Sequence, residues 1–361
     1  MGWRTAPKQA ALDGLTFADV AWTGTRFIAL GRLDNGAGVF LDSIDAVKWH
    51  RQSAQNGYAD RIAAGPGAVV AVGTSGSHLV SWSSADGLSW SRHRDAFPLP
   101  TLGTDTLTVT DVTAAGGGWL AVGRRDPTCF VGCGSDPKRA YVWRSTDGVH
   151  WTRVADQPAL KGGGMNAVSP WGDGFVAAGG AGGHAAVWTS PDGLTWTRVP
   201  DAPLFHGPTT GWGGYLATEA TNVATVGATI AVVGNALAQD TCPSAVAARL
   251  CPGPRAWWSV NGQTWSTGPF AKARNGQLNA MGVVSNGLLA VGWSEKCAAG
   301  VWTSGDGQGW TCLLGGPAPE LSDVAVGGNA TLQIILGDLD LAATGDQDPI
   351  WVSYAWYRSS P

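Results

Sequence analysis

One short pattern constrains this chain more than any other: an apolar run closing on glycine recurs seven times. The copies are FIALG ending at Gly31, VVAVG at Gly73, WLAVG at Gly123, FVAAG at Gly179, IAVVG at Gly234, LLAVG at Gly292 and QIILG at Gly337. Before each run lies a segment carrying one Asp or Asn: Asp19, Asp60, Asp111, Asn166, Asn222, Asn279 and Asp323. After it come an aromatic strand and a tight turn, as in VWRSTDGVHWTRV ending at Val154 and VWTSPDGLTWTRV ending at Val199. Related turns centre on Asp45, Asp86, Asn261 and Asp306. In these turns the Asp binds nearby backbone and the Gly supplies positive φ, which is hairpin chemistry.

Each unit therefore reads as an inner strand, a second strand, a third strand, a turn and an outer strand. A four-stranded unit repeated every ~40–60 residues is the blade of a propeller. The 53 Gly and 20 Trp fit this and not a helical protein, since Gly weakens helices and Trp favours strands. We expect an all-β, seven-bladed β-propeller of four-stranded antiparallel blades forming one domain over residues 1–361. The blades fall at 17–52, 58–93, 107–154, 164–199, 220–267, 277–313 and 321–357. The last unit ends near Trp351 without a turn, and its missing outer strand is at the other end of the chain. There, Gly2-Trp3-Arg4 matches Trp151-Thr152-Arg153 and Trp196-Thr197-Arg198. An N-terminal strand at residues 2–5 completing the last blade leaves no open edge at the seam.

The S-x-D-G-x-x-W turns resemble Asp boxes, the repeats of sialidase-like propellers, sortilin-type receptors, xyloglucanases and bacterial assembly factors. Six hairpins carry the signature, and the repeat covers the whole chain. Two departures stand out: Gly directly follows the Asp, where the family usually has one more residue between, and Ala46 follows Asp45. The resemblance implies either a binding module or a glycan-active hydrolase. Sialidases use three arginines, a Tyr–Glu pair and an acid Asp. This chain has no F-R-I-P-like start and only three Glu: Glu219, Glu295 and Glu320. Glu219, Tyr215 and Asp111 are the candidates for a catalytic reading. The chain has no Gly-x-Ser-x-Gly elbow, H-E-x-x-H helix or P-loop.

Thirteen tryptophans sit at repeat positions and read as packing between blades. Trp3, Trp49, Trp90, Trp151, Trp196, Trp265 and Trp310 open the outer strands, and Trp82, Trp143, Trp188, Trp257, Trp302 and Trp351 lie in the third strands. A sugar-stacking platform would come from Trp22, Trp119, Trp171, Trp212, Trp258, Trp293 or Trp356, with Trp212 and Trp293 the best placed. The turn aspartates offer one carboxylate each, too few for calcium, and read as turn holders. The Asp/Asn set before the inner strands forms a ring at the channel mouth. It reads either as blade-to-blade hydrogen bonding or as a polar funnel for a cation or sugar hydroxyls.

Loop lengths break the symmetry. The second-to-third-strand connections are long in blade 3 (124–139) and blade 5 (235–255), as is the connection from blade 4 to blade 5 (200–217). All emerge on the face opposite the Asp turns, and long loops on a rigid scaffold carry function. Surface variation is the competing reading. The binding residues expected there are Arg124, Arg125, His184, His206, Trp212, Tyr215, Glu219 and Trp293.

Cys129–Cys133, Cys242–Cys251 and Cys297–Cys312 are the expected disulfides, since the spacings match no paired zinc site and no His lies beside them. Disulfides point to a secreted, cell-surface or periplasmic protein whose leader is not part of this sequence. A net charge of −4 and the lack of a basic run speak against nucleic acid, and no apolar stretch of ~18 residues spans a membrane. We expect a monomer with no cofactor and no metal. It would recognise a protein or glycan as a non-catalytic extracytoplasmic scaffold, with a sialidase-like glycan hydrolase as the alternative.

Overall fold

The computed structural model describes residues 2–359 apart from 54, 66, 76–77, 99–105, 127–138, 208–216, 238–252, 271–275, 295, 298–299, 314–320 and 341–350. It contains seven four-stranded antiparallel sheets. Six are sequential; in blade 3, for example, the strands are Thr106–Ala115, Gly118–Asp126, Arg139–Ser145 and Thr152–Arg153. The seventh joins Leu321–Gly328, Leu332–Asp340 and Trp351–Ser359 to the N-terminal strand Arg4–Thr5. Each inner strand touches the inner strands of both neighbouring blades, and the series closes from blade 7 back onto blade 1.

Both faces of every blade are covered by neighbours, which is why the second strands are continuously apolar and not alternating. Phe27, Ile28 and Ala29 are all fully buried. Among the described residues the apolar side chains form seven clusters, one at each blade-to-blade interface. The third-strand tryptophans Trp82, Trp143, Trp188, Trp257 and Trp302 are wholly buried among them. Several also find a carbonyl for the indole N–H: Trp188 Nε1 donates to the Ala159 carbonyl at 2.7 Å and Trp257 Nε1 to that of Leu204 at 2.7 Å. The outer strands are only two to four residues long and begin just after their tryptophan.

The repeat glycine has a steric cause. Every inner strand carries a β-bulge near its start. In blades 1 to 6 the glycine pairs with the residue before the bulge. A Cβ on Gly73, Gly123, Gly179, Gly234 or Gly292 would overlap a carbonyl oxygen of that strand. Gly31 is the exception: its Cβ would meet only side chains, the nearest being Leu15 Cδ1 at 3.1 Å.

The closing strand lies further along the last blade than the sequence suggests. Arg4 pairs with Tyr357 and Thr5 with Trp356, so the N-terminal strand closes the blade beside the strand that Trp351 opens, as expected, but against its later residues. The repeat tryptophan of that blade is therefore Trp356. It faces Ile335 in the register that pairs Trp188 with Ala177, and it is 5% exposed. Trp351 pairs with Asp340, outside the repeat register, because the third strand of this blade is two residues longer than those of blades 2 to 5. Trp356 thus leaves the set of stacking candidates.

Candidate functional site

The channel-mouth residues do not form one equivalent ring. Asp19, Asp111 and Asn222 stand just after the bulge, whereas Asp60, Asn166 and Asn279 are the bulged residues themselves. Asp323 lies within the bulge of blade 7, which is displaced one pair towards the strand start. The two aspartates after the bulge staple neighbouring blades, whereas Asn222 at the same position lines the central cavity. Asp19 accepts the Val20 amide on Oδ1 at 2.8 Å and the Ile62 amide of blade 2 on Oδ2 at 2.9 Å. Asp111 repeats this towards blade 4, accepting from Val112 at 2.8 Å and from Val168 at 2.7 Å. These carboxylates staple neighbouring blades through both oxygens, in accord with the need to satisfy buried amides. Burial raises both carboxyls, Asp111 up to about 7, while Arg61 and the amide donors pull the other way.

The bulged residues line a cavity of about 500 Å³ at the centre of the face where the inner strands begin, together with Arg61, Arg124, Glu219, Thr110, Thr221, Asn235 and Gln277. At its heart Arg124 Nη1 donates to Asn166 Oδ1 at 2.6 Å and to Glu219 Oε1 at 3.0 Å. Asn166 Nδ2 in turn donates to Glu219 Oε1 at 2.8 Å and to the Ala220 carbonyl at 2.9 Å. One hydrogen-bonded triad thus spans blades 3, 4 and 5. The sequence makes room for it at Gly180, which occupies in blade 4 the position of Arg124 in blade 3. A Cβ there would already stand 3.6 Å from Glu219 Cγ, so a longer side chain would displace the carboxylate. Arg124 and Glu219 are each about one third exposed, at 32% and 30%, so the cluster faces solvent while being held from behind.

Asp60 and Arg61 also bring charge to the cavity wall. Burial pushes the Asp60 carboxyl up to about 6 against the pull of Arg61 and Arg32. Arg61 Nη1 donates to the Asp60 carbonyl at 2.7 Å. Asn235 joins blades 5 and 6 by a two-way bond to the Leu278 backbone, at 2.8 and 3.0 Å.

The expected binding residues separate into distinct places. Arg124 and Glu219 meet in the cavity. Arg125, next in the strand, projects to the opposite sheet face, as strand alternation requires, and lies near Tyr141. Trp293 is 43% exposed and pairs with Gln277 of the cavity wall. Trp119 is buried, and Trp22, Trp171 and Trp258 are half-buried. His184 and His206 stack together beside a second cavity of about 840 Å³ along blade 4. Burial, with His206 adjacent, holds the His184 imidazole below its ordinary range. Trp212, Tyr215, Glu295, Glu320, Cys129, Cys133, Cys242 and Cys251 lie outside the described residues. Cys297 and Cys312 form a disulfide with Cα atoms 5.9 Å apart.

The turn residues hold their hairpins. In the turn at Asp86, one carboxylate oxygen accepts the Leu88 and Ser89 amides at 2.8 Å and the Ser84 hydroxyl at 3.0 Å. Those amide bonds keep the Asp86 carboxyl below the usual range. The same pattern recurs at Asp45, Asp147, Asp192 and Asn261. Ala46 stands where the other turns have glycine and takes φ of 59°.

No family model matches the chain, and no curated protein matches it in sequence. Its likeness is to solved propellers. The WD40 repeats of RRP9 align with a TM-score of 0.57 at 10% identity, covering 99% of this chain and 98% of that one. YCF48 bound to D1 peptide aligns at 0.51 and 14% identity, covering 93% and 91%. A Trypanosoma rangeli sialidase aligns at 0.51 and 11% identity over 96% of this chain but 54% of its own. The chain is a seven-bladed β-propeller. At these identities the likeness shows the fold alone, so any reading of the propeller's function rests on the site residues.

Proposed function

We propose that this propeller is a non-catalytic extracytoplasmic scaffold that binds a protein or glycan through its loop-bearing face over blades 3 to 5. The observation that carries this reading is the Arg124–Asn166–Glu219 triad at the mouth of the central cavity. A partly exposed cation and carboxylate, held in place by a half-buried amide among further Asn, Gln and Thr side chains, suits recognition of a polar ligand. Asp111, the acid candidate of the hydrolase reading, has both oxygens committed to backbone amides, which favours binding over hydrolysis. The Cys297–Cys312 disulfide supports an oxidising compartment. Among the described residues no helix is long and apolar enough to cross a membrane. The peptide bound to YCF48 is a precedent for peptide binding on a propeller and no more than that. The turn chemistry supports kinship with Asp-box propellers, with Gly following Asp directly in this chain.

A glycan array combined with pull-down from a native surface tests the reading, with a panel of chromogenic glycosides run beside it. The expected result is specific capture without glycoside turnover. Turnover abolished by Glu219→Gln would overturn the proposal in favour of a hydrolase.

A further inference from the structure

A second cluster lies on blade 4, away from the triad. His184 opens the third strand, His184–Ser190. Asp201 and His206 flank the 3-10 turn Pro203–Phe205 in the connection to blade 5. His206 Nε2 lies 3.0 Å from Asp201 Oδ1 and 3.1 Å from Oδ2, and the His184 and His206 rings stack with centroids 3.8 Å apart. One ligand atom from each of the three residues lies within 4.8 Å of the other two.

We propose that His184, Asp201 and His206 form a binding site for a first-row transition-metal dication, of which Zn²⁺ is the natural probe. Two imidazoles and one carboxylate are the donor set such ions select. Tetrahedral zinc with ligands at 2.0–2.1 Å sets its donors about 3.3 Å from one another. The His206–Asp201 contact, at 3.0 and 3.1 Å, is already close to that separation, and the remaining gap is within reach of side-chain rotation.

The backbone around the site is fixed. Buried Thr218 accepts the Ala185 amide at 3.0 Å and donates to the Phe205 carbonyl at 2.5 Å, tying the strand of His184 to the turn before His206. Donors on two segments locked by one hydroxyl are preorganised in the manner a metal site needs. Three protein ligands leave a fourth position, and the adjoining cavity of about 840 Å³, lined by His184 and Asp201, gives a water or ligand group access to it. The other His–Asp pairs among the described residues, His50 with Asp42, His78 with Asp95 and His150 with Asp147, bring one imidazole each.

The test is metal binding itself, independent of the ligand proposed for the central cavity. Chelator-treated protein is titrated with Zn²⁺, following melting temperature, and with Co²⁺, following the visible absorption of a tetrahedral nitrogen–oxygen site. The wild type is expected to melt a few degrees higher with saturating Zn²⁺ and not with Mg²⁺. His184→Gln, Asp201→Asn and His206→Gln should each weaken Zn²⁺ by more than the roughly 10–100-fold that loss of an outer partner costs. His150→Gln should leave it unchanged. If one ligand variant fails to fold, the other two decide. A wild type that shows neither shift nor Co²⁺ bands, a Zn²⁺ shift that survives in the ligand variants, or one that His150→Gln removes, overturns the proposal.

Discussion

Arg124 of blade 3 and Glu219 of blade 5 meet through Nη1 and Oε1 at 3.0 Å, across the blade that separates them in sequence. The pair is about one third open to water, so its own worth to stability is about 0–1 kcal/mol. Its placement at the channel mouth, held by Asn166 and admitted by Gly180, matters more than its energy. Arg124→Ala is therefore expected to leave the melting temperature within a degree or two of wild type, as differential scanning calorimetry would show. A large fall would mean that the pair braces the ring.

Gly234→Ala and Gly31→Ala separate backbone clash from packing. A Cβ at Gly234 would overlap the Glu219 carbonyl oxygen, while at Gly31 it meets only side chains from 3.1 Å outwards. In urea unfolding, the first should cost about 3 kcal/mol or more and the second about 1. Equal costs would contradict the account of the bulge.

Truncating Trp188 to alanine should cost about 3–5 kcal/mol, because the indole is wholly buried between blades 3 and 4 and its N–H is bonded. Trp293→Ala should cost little, since that residue is 43% exposed. Paired thermal melts read both.

Deleting residues 1–6 removes the pairing of Arg4 with Tyr357 and of Thr5 with Trp356, and takes Ala6 from the core between blades 7 and 1. A loss of about 2–5 kcal/mol is expected, measured by denaturant unfolding. A truncated chain as stable as the full one would contradict closure by this strand.

Asp60 gives a pH signature. Its carboxyl titrates near 6 when folded and near 3.8 when unfolded, so the folded state holds the proton more tightly. Stability relative to Asp60→Asn should thus be highest below pH ~4 and fall as the pH rises through ~6, by about 1–3 kcal/mol, then level off. An anionic ligand at this cavity should likewise bind more tightly below pH ~6. A flat difference between the two proteins from pH 4 to 8 would contradict the burial of this group.

Much of this molecule is legible in its sequence because the repeat is a packing rule. Seven apolar runs closing on glycine require two covered faces and a bulge opposite, and a closed ring of blades supplies both. Trp351 and Trp356 show the limit: both sit in the last third strand, and only the register reveals that Trp356 fills the repeat site. The split of the polar ring was also present in the letters. Asp19, Asp111 and Asn222 lie twelve residues before their glycine, and Asp60, Asn166 and Asn279 thirteen. That one-residue difference separates the stapling Asp19 and Asp111 from Asp60, Asn166 and Asn279 on the cavity wall. Asp201 left no such trace. Its approach to His206 depends on how the Pro203–Phe205 turn folds back, and that is set by Thr218 from another strand. Arg61 and Asn235 likewise carry no motif; their roles come from which neighbouring blade each faces.

Whether the channel mouth over blades 3 to 5 is the binding surface is decided by comparing variants on one set of probes. Wild type, Arg124→Ala, Glu219→Gln and Ile44→Ser are applied to the same glycan array and the same extract of surface proteins. Ile44 lies on the opposite face in the Asp45 turn and is 69% exposed. The wild-type signals are expected to persist in Ile44→Ser and to drop at least ~10-fold in Arg124→Ala and Glu219→Gln at unchanged melting temperature. Signals retained by both channel variants and lost in Ile44→Ser would contradict binding at the channel mouth.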